Sequence, residues 1–410
     1  MPAAGFAVPY TASGAAAAPG QARWTIMVHM AAENNLEPNG IDNINQMEAG
    51  LTASDVNVLV LFDGNQQGDS KIYKIQHDPD GMNQTIISPV VDDQNAVIPP
   101  SHEIDSGDPA VLAKFVAWSV QNYPAQHYML AIWDHGSGLF LNGTNGTRRC
   151  VPGGGYTSQG FAWDDNGGHM DIKDLNAILA PVHAATGRPI DVLGFDACLM
   201  AHVETGYQVK DLANYLVGSE KTEPAAGWDY QAWLAAISNN PTISPADVAA
   251  AEVDAYGAFY TRNSDVVTQS ATDLRALDQQ LVPAISAFAQ ALQAALPTGR
   301  AAILDARGHS ESYENSDCVD LYHFAGLVLG EPGLPVVLKA SAQAVMQALQ
   351  ATVIRNYHTP GDSSGVANAH GLVIYFPTPD TGYNATYDDP AQIAFSGTGA
   401  WRSFLKALIG

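Results

Sequence analysis

Cysteine is scarce in this chain, which excludes two kinds of stabilising framework. Only three cysteines occur among 410 residues, namely Cys150, Cys198 and Cys318. An odd number of widely spaced cysteines does not predict a disulfide scaffold, and no pair has the spacing of a structural zinc site. With 46% hydrophobic residues, the chain is predicted to be globular and to depend on its apolar core.

Basic residues are also few, which argues against polyanionic partners. The chain has 18 Lys and Arg against 42 Asp and Glu, so its formal net charge is −24. Such a surface repels nucleic acid and anionic membranes. It favours basic substrates weakly, because an acidic surface is more commonly a means of staying soluble.

Long apolar runs are missing as well. No segment reaches the ~18 consecutive apolar residues of a membrane helix, so no membrane span is predicted. Residues 1–22 lack the basic start and continuous apolar stretch of a signal peptide. They are predicted to be a disordered leader or a trimmed pro-segment.

The order of apolar segments predicts an α/β fold with a mostly parallel sheet covered on both faces. Apolar strands alternate with helical patterns, the arrangement that produces such sheets. Strands are predicted at 23–30, 56–62, 128–134, 190–196, 215–219 and 371–376, and helices at 36–51, 108–123, 171–185 and 200–212. The Ala-rich stretch 230–355 has helical periodicity and is predicted to cover and support the sheet.

Two of these strands end in reactive side chains. One leads into His135 and Gly136, and the other, about sixty residues later, leads into Cys198. Parallel strands deliver such residues to the carboxyl edge of the sheet, where α/β folds bind ligands. A helix predicted directly after Cys198 would stabilise its thiolate, His135 could protonate a leaving amine, and Gly136 would leave room for a substrate carbonyl. The alternative is that both are ordinary buried residues.

Asp196 lies on the same face of its strand as Cys198, because side chains alternate along a strand. A carboxylate so near would raise the pKa of the thiol by repulsion. One interpretation is that Asp196 lies deeper than Cys198 and binds a basic substrate side chain, since carboxylates pair Arg bidentately and Lys as a point charge. Alternatively, Asp196 only makes local hydrogen bonds.

Four segments together resemble the clostripain family of cysteine peptidases, a caspase-like group related to gingipains and legumains. They are the His135-Gly136 strand end, residues 195–200 (Phe-Asp-Ala-Cys-Leu-Met), the segment from Glu223-Pro224 to Gly-Trp-Asp-Tyr at 227–230, and residues 371–377. The resemblance covers roughly residues 23–408. It implies a caspase-like α/β/α sandwich, with a catalytic core at 23–230 containing an activation loop at 137–160. Residues 231–410 would form a helical addition and a final core strand of the same domain.

The resemblance also implies an activity and a set of roles. The chain would be an extracellular or exported cysteine endopeptidase that cleaves protein or peptide substrates after Arg, with Lys second. His135 would be the general acid/base, Cys198 the nucleophile, Gly136 an oxyanion donor and Asp196 the floor of the S1 pocket. The chemistry requires no cofactor. Some relatives use calcium, for which the sequence indicates no ligand set.

The chain departs from the family pattern at Ala225 and Ala226, where some members have a second acidic residue of the pocket. Glu220, Glu223 or Asp229 could compensate for that missing acid.

Self-processing is a further expectation, since family members are often zymogens that cut themselves after the His strand. The single dibasic pair of the chain, Arg148-Arg149, lies in that loop. Cleavage after Arg149 is therefore predicted; alternatively, a solvated loop simply carries two charges.

Two other interpretations of function were considered. One is a catalytically silent caspase-like binding protein, which the presence of both dyad residues argues against. The other is a serine hydrolase using Ser363 in a Gly-x-Ser-x-Gly segment, which lacks the preceding strand and following helix that this motif needs. Residues 63–68 begin like a calcium loop, but its twelfth position is Lys74 rather than Glu.

Overall fold

The computed structural model describes residues 21–139, 160–361 and 365–409. Most of the predicted leader, most of the predicted activation loop with Arg149, and Ser363 lie outside these residues. In the part described, an eight-stranded sheet has the order β3-β2-β1-β4-β5-β6-β7-β9. Its strands are β1 (Ala22–Ala31), β2 (Val56–Asp63), β3 (Lys71–Lys74), β4 (Ala125–Trp133), β5 (Ile190–Asp196), β6 (Ala213–Gly218), β7 (Thr268–Asp273) and β9 (Val353–His358).

The five central strands of this sheet run parallel, and antiparallel pairings occur only toward its edges. β2, β1, β4, β5 and β6 are parallel neighbours, whereas β3 and β7 pair antiparallel with the strands beside them. Every residue of the central strand β5 is buried, because helices cover both faces of a parallel sheet and leave no face for polar alternation. The predicted α/β sandwich with a mostly parallel sheet is confirmed.

Helices form one layer on each face of the sheet. One face is covered by α1 (Glu37–Gly50), α5 (Tyr230–Asn239) and α6 (Pro245–Asn263). The other is covered by α2 (Pro109–Asn122), α3 (Leu175–Thr186), α4 (Val203–Val209), α8 (Val282–His309), α9 (Leu321–Gly330), α10 (Val336–Thr352) and α11 (Ala400–Ile409). Alternate residues of β1 enter the two cores: Met27 packs in one, and Ile26 and Val28 in the other.

The region 231–410 contributes two strands to the central sheet that the sequence did not predict, in addition to its helices. β7 and β9 extend the central sheet beyond β6. β7 consists largely of polar residues, and β9 follows α10 without any intervening residue. Neither strand shows the apolar pattern of a buried strand. β9 is an exposed edge strand, and β7 is a strand through its backbone pairing with β6 and β9.

The predicted last strand lies outside the central sheet. β10 (Val373–Tyr375) pairs antiparallel with β8 (Cys318–Asp320) in a separate two-stranded sheet. Cys318 is buried within β8, and the helix that follows begins at Leu321. Asp320 caps that helix by accepting a hydrogen bond from the N–H of His323 at 2.6 Å.

One continuous helix, Leu274–His309, is long and apolar enough by length and composition to cross a membrane, although no apolar run predicted a span. It includes a short α7 (Leu274–Ala276) and a π-helical turn before α8. Ile285, Phe288 and Leu292 of this helix are fully buried in the core against the sheet. Its apolar residues therefore have a place within the fold, as for the core helix of a globular domain.

Candidate active site

A cleft of about 550 Å³ opens at the carboxyl edge of the sheet, where β1, β4 and β5 end. Trp133 of β4 pairs with Asp196 of β5, so the two strands reach this edge in register. The cleft is lined by Asn35, Leu36, Asn39, Trp133, Asp134, His135, Asp196, Ala197, Cys198, Thr222, Glu223, Pro224, Ala225 and Gly227. The structure thus brings the predicted base, nucleophile and pocket acid into one depression.

Cys198 follows β5 by two residues, and its thiol faces a backbone donor. The N–H of Glu223 lies 3.3 Å from Sγ and donates toward the sulfur, an interaction that favours the thiolate. The sequence predicted that a helix starting at residue 200 would supply this stabilisation. That is wrong, since α4 begins only at Val203 and the chain first turns through Leu199, whose φ is +63°.

His135 follows β4 by two residues and is 3% exposed. Its Nε2 lies 3.0 Å from Oδ1 of Asn35, which belongs to the turn after β1. If Nε2 carries the proton and donates to this oxygen, Nδ1 is the basic nitrogen of the ring. Sequence reasoning missed Asn35, because an asparagine in a turn has no motif that relates it to a histidine a hundred positions later.

Gly136 lies close to the backbone of Cys198, a contact that the sequence did not predict. A Cβ added at this residue would lie 2.2 Å from the carbonyl oxygen of Cys198 and 3.0 Å from its nitrogen. Any side chain here would push apart the segments that carry the imidazole and the thiol. A glycine is therefore required for the two strand ends to meet.

The Gly-Trp-Asp-Tyr segment holds the carboxylate of Asp196. Its Oδ2 accepts hydrogen bonds from the N–H of Trp228 at 3.2 Å and from the hydroxyl of Tyr230 at 2.9 Å. Gly227 has a φ of +64°, and a Cβ there would lie 2.8 Å from this carboxylate. Burial raises the pKa of Asp196 to about 6, although these two hydrogen bonds oppose the rise.

A second buried acid, Glu223, lies against Asp196. Glu223 also lines the cleft, and neither of its carboxylate oxygens accepts a hydrogen bond from an N–H or O–H group in the described part of the chain. Burial, followed by repulsion from Asp196, raises its pKa well above the usual value. Two buried acids side by side favour a cationic ligand, because a guanidinium can neutralise both.

The other two acids named as pocket candidates have different partners. The carboxylate of Glu220 accepts a hydrogen bond from the N–H of Gly371 at 2.9 Å and lies beside Asp320, outside the cleft lining. Asp229 caps α5 through the N–H of Ala232 and pairs with Arg262 at 3.4 Å. Of these three candidates, Glu223 lines the cleft with Asp196, whereas Glu220 and Asp229 do not.

Comparison with protein families identifies the chain's relatives. The model of the clostripain family matches residues 28–407. The chain belongs to the clostripain family of cysteine peptidases. Clostripain from Hathewaya histolytica is 28% identical over 232 residues, which are 50% of this chain and 40% of that protein. The match thus spans well under half of this curated relative.

Solved structures share the fold of this family member. A secreted cysteine protease from Bacteroides thetaiotaomicron in complex with an irreversible peptide inhibitor aligns with a TM-score of 0.65 and 20% identity, over 93% of this chain and 99% of that one. An inactive zymogen from Parabacteroides distasonis aligns with a TM-score of 0.58 and 16% identity, over 96% and 100% of the two chains. At these identities the likeness shows the fold alone.

Proposed function

We propose that this chain is a cysteine endopeptidase that cleaves peptide bonds after Arg, with Lys second. The observation that supports this most strongly is the composition of the cleft. It contains a thiol with a backbone N–H donor, an imidazole and the adjacent buried acids Asp196 and Glu223.

The proposed mechanism uses only side chains, backbone groups and water. The Cys198 thiolate attacks the scissile carbonyl carbon, and the N–H of Gly136 stabilises the oxyanion that forms. The imidazolium of His135 then protonates the leaving amine, so that the C–N bond breaks and an acyl-enzyme remains. His135 next removes a proton from water, which hydrolyses the thioester and regenerates the thiolate.

The acid pair of Asp196 and Glu223 provides the proposed preference for basic residues. Both carboxyl groups are buried, and the hydrogen bonds to Asp196 come from neutral groups of Trp228 and Tyr230. A substrate guanidinium would contribute the missing positive charge. Removing one partner of a buried charge pair costs about 2–5 kcal/mol, or roughly 30- to several-thousand-fold in affinity or rate.

A panel of fluorogenic peptides differing only in the residue before the cut tests the proposal. We expect kcat/KM to be highest for Arg, lower for Lys, and about a hundred-fold or more lower for Gln, with iodoacetamide abolishing turnover. Asp196→Asn should remove most of the preference for Arg over Gln, and Glu223→Gln a smaller part. The matched control is Asp229→Asn, because that carboxylate pairs with Arg262 outside the cleft.

Two outcomes would contradict this assignment. An unchanged Arg preference in Asp196→Asn would exclude it as the pocket acid. Failure of an Arg-directed acyloxymethyl ketone to label Cys198 in folded protein would favour a catalytically silent binding protein.

The pKa of Asp196 gives the pocket a pH dependence that a neutral substrate lacks. With a pKa of about 6 in the free protein, Asp196 is increasingly protonated as the pH falls below 6. Because only the ionised form attracts a cation, kcat/KM for the Arg substrate should fall faster on acidification than that for the Gln substrate. Identical pH profiles for the two substrates would contradict a charged Asp196 in substrate binding.

We further propose self-cleavage after Arg149 and export from the cell. Both proposals are supported by neighbours: the Parabacteroides protein is described as a zymogen and the Bacteroides protein as secreted. N-terminal sequencing of fragments from wild type and Cys198→Ala tests the first, since identical fragments would exclude self-cleavage. Assaying culture medium and cell fractions for the protein tests the second.

A further inference from the structure

Beside the proposed active site, three buried carboxylates converge at the same edge of the sheet. Glu33 follows β1, Asp63 ends β2, and Asp164 lies in the turn after Phe161. One carboxylate oxygen from each lies within 4.8 Å of the others. We refer to these three residues as the acidic triad.

Asp63 has an unsatisfied oxygen within this cluster. Its side chain is 1% exposed. Oδ1 accepts a hydrogen bond from the hydroxyl of Ser70, whereas Oδ2 is buried and has no hydrogen-bond partner. A buried carboxylate oxygen without a donor is costly, so a ligand that binds oxygen would be favoured there.

Among the described residues, no cationic side chain pairs with the acidic triad. Within residues 21–139, 160–361 and 365–409, none of the ion pairs made by Lys, Arg or His includes Glu33, Asp63 or Asp164. Assembling three carboxylates at this place therefore costs free energy that a bound cation would recover.

The number and kind of donor atoms indicate which cation would fit. All three ligands are carboxylate oxygens, which suit hard divalent cations rather than zinc or copper. Calcium accepts several carboxylate oxygens in flexible geometry, whereas magnesium keeps several waters and usually binds through one or two carboxylates, so three converging carboxylates favour calcium. We propose that Glu33, Asp63 and Asp164 form a calcium-binding site that ties the turn after β1 to β2 and to the 160–170 segment.

This site would act on the active-site wall through the backbone. The carbonyl oxygen of Glu33 accepts a hydrogen bond from the N–H of Asp165 at 3.0 Å, and the Asn34 side chain donates to Asp134 at 2.8 Å. Asn35, the next residue, contacts His135. A cation held by Glu33 would therefore restrict the turn that positions Asn35. Residues 63–68 were discounted as a calcium loop, and the proposed site uses Asp63 with a different set of ligands.

Calcium binding can be tested without relying on enzyme activity. In the Cys198→Ala background, which excludes self-digestion, we expect 1 mM calcium to raise Tm by about 3 °C or more relative to EDTA. Asp63→Asn and Glu33→Gln should lose this rise, because each keeps a hydrogen-bonding oxygen but removes a charge. The matched control is Asp42→Asn, an exposed acid of α1, which should keep the full rise.

Terbium luminescence provides an independent measurement. Trp163 directly precedes Asp164, so exciting tryptophan should sensitise terbium bound at the triad, and calcium should displace it. Asp63→Asn should lose that signal. An absent calcium-dependent Tm rise in the Cys198→Ala parent, or an equal rise when Asp63→Asn or Glu33→Gln is added to it, would overturn the site. A rise with magnesium but none with calcium would overturn the choice of cation.

The variants must be folded for these results to count. Asp63→Asn should unfold in EDTA at the same Tm as its parent or at a higher one, since it removes a buried carboxylate. If it fails to fold, Glu33→Gln with the terbium measurement decides the question alone.

Discussion

Within the described residues, a thiol and an imidazole come together in two regions of the molecule, with very different surroundings. Cys198 and His135 line the open cleft. Cys318 Sγ lies 3.8 Å from Nδ1 of His202, but both residues are almost fully buried. Burial, followed by the negative charge of Glu204, raises the pKa of Cys318 well above normal, and burial lowers that of His202 to about 3.

This difference shows that proximity of sulfur and imidazole does not by itself make a catalytic pair. At the buried pair both groups are held neutral and no substrate can reach them. In the cleft, the Glu223 N–H faces the sulfur and the strand ends leave space for a ligand. Access and local donors distinguish the two pairs, rather than the residue types.

The largest expected difference between the two pairs is in turnover. Cys198→Ala should lower kcat by on the order of 10⁴-fold or more, as expected for loss of a nucleophile. Cys318→Ala should leave kcat within about two-fold and cost about 1 kcal/mol of stability. Steady-state kinetics and urea unfolding of the two variants measure this, and a comparable loss of kcat in both would remove the distinction.

Chemical modification tests the same difference between Cys198 and Cys318. Iodoacetamide should alkylate Cys198 in the folded protein, while Cys318 should react only after denaturation, because a thiol needs both exposure and ionisation to react. Peptide mass mapping of native and urea-treated samples gives the two rates, which should differ by about a hundred-fold or more in the native state. Equal rates in the native state would contradict the burial of Cys318.

A smaller effect is expected from Asn35, which contacts the proposed catalytic imidazole of His135. Asn35→Ala should lower kcat by about ten-fold with little change in KM, since it removes the acceptor that orients His135. Asn35→Asp keeps an acceptor and should retain more activity, while its charge raises the apparent pKa of His135 in the pH–rate profile. If neither variant changes that profile, Asn35 has only a structural role.

The smallest effect concerns stability at acidic pH. His202 titrates near 3 when folded and near 6.5 when unfolded, so below pH 6.5 the unfolded chain binds the extra proton and stability falls as pH falls toward 3. His202→Gln should therefore lose less unfolding free energy between pH 7 and pH 4.5 than wild type. His309→Gln, a change at an exposed imidazole, is the control and should behave like wild type.

The sequence was informative where a local pattern and a chemical role coincide. The strand ends at His135, Gly136 and Cys198, and the acid at Asp196, are continuous with apolar strands whose parallel order predicts a shared edge. The family resemblance then gave those residues expected roles, and the family itself is confirmed.

Features that depend on tertiary contacts were not predictable from local patterns. Asn35 reaches His135 only because β1 and β4 are neighbours, and the acidic triad draws one residue from each of three separate segments. β7 and β9 escaped detection because their side chains do not alternate between core and solvent. The donor to Cys198 was assigned to a helix, whereas it comes from Glu223 on a later loop.

The contact between Gly136 and Cys198 has a consequence for how the protein loses activity on heating. These residues meet only when β4 pairs with β5, so an incomplete or melted chain possesses no assembled dyad. Unfolded molecules could therefore be digested by folded ones but could not cleave other molecules. Heat inactivation should therefore accelerate with protein concentration near the melting midpoint, where intact and denatured molecules coexist.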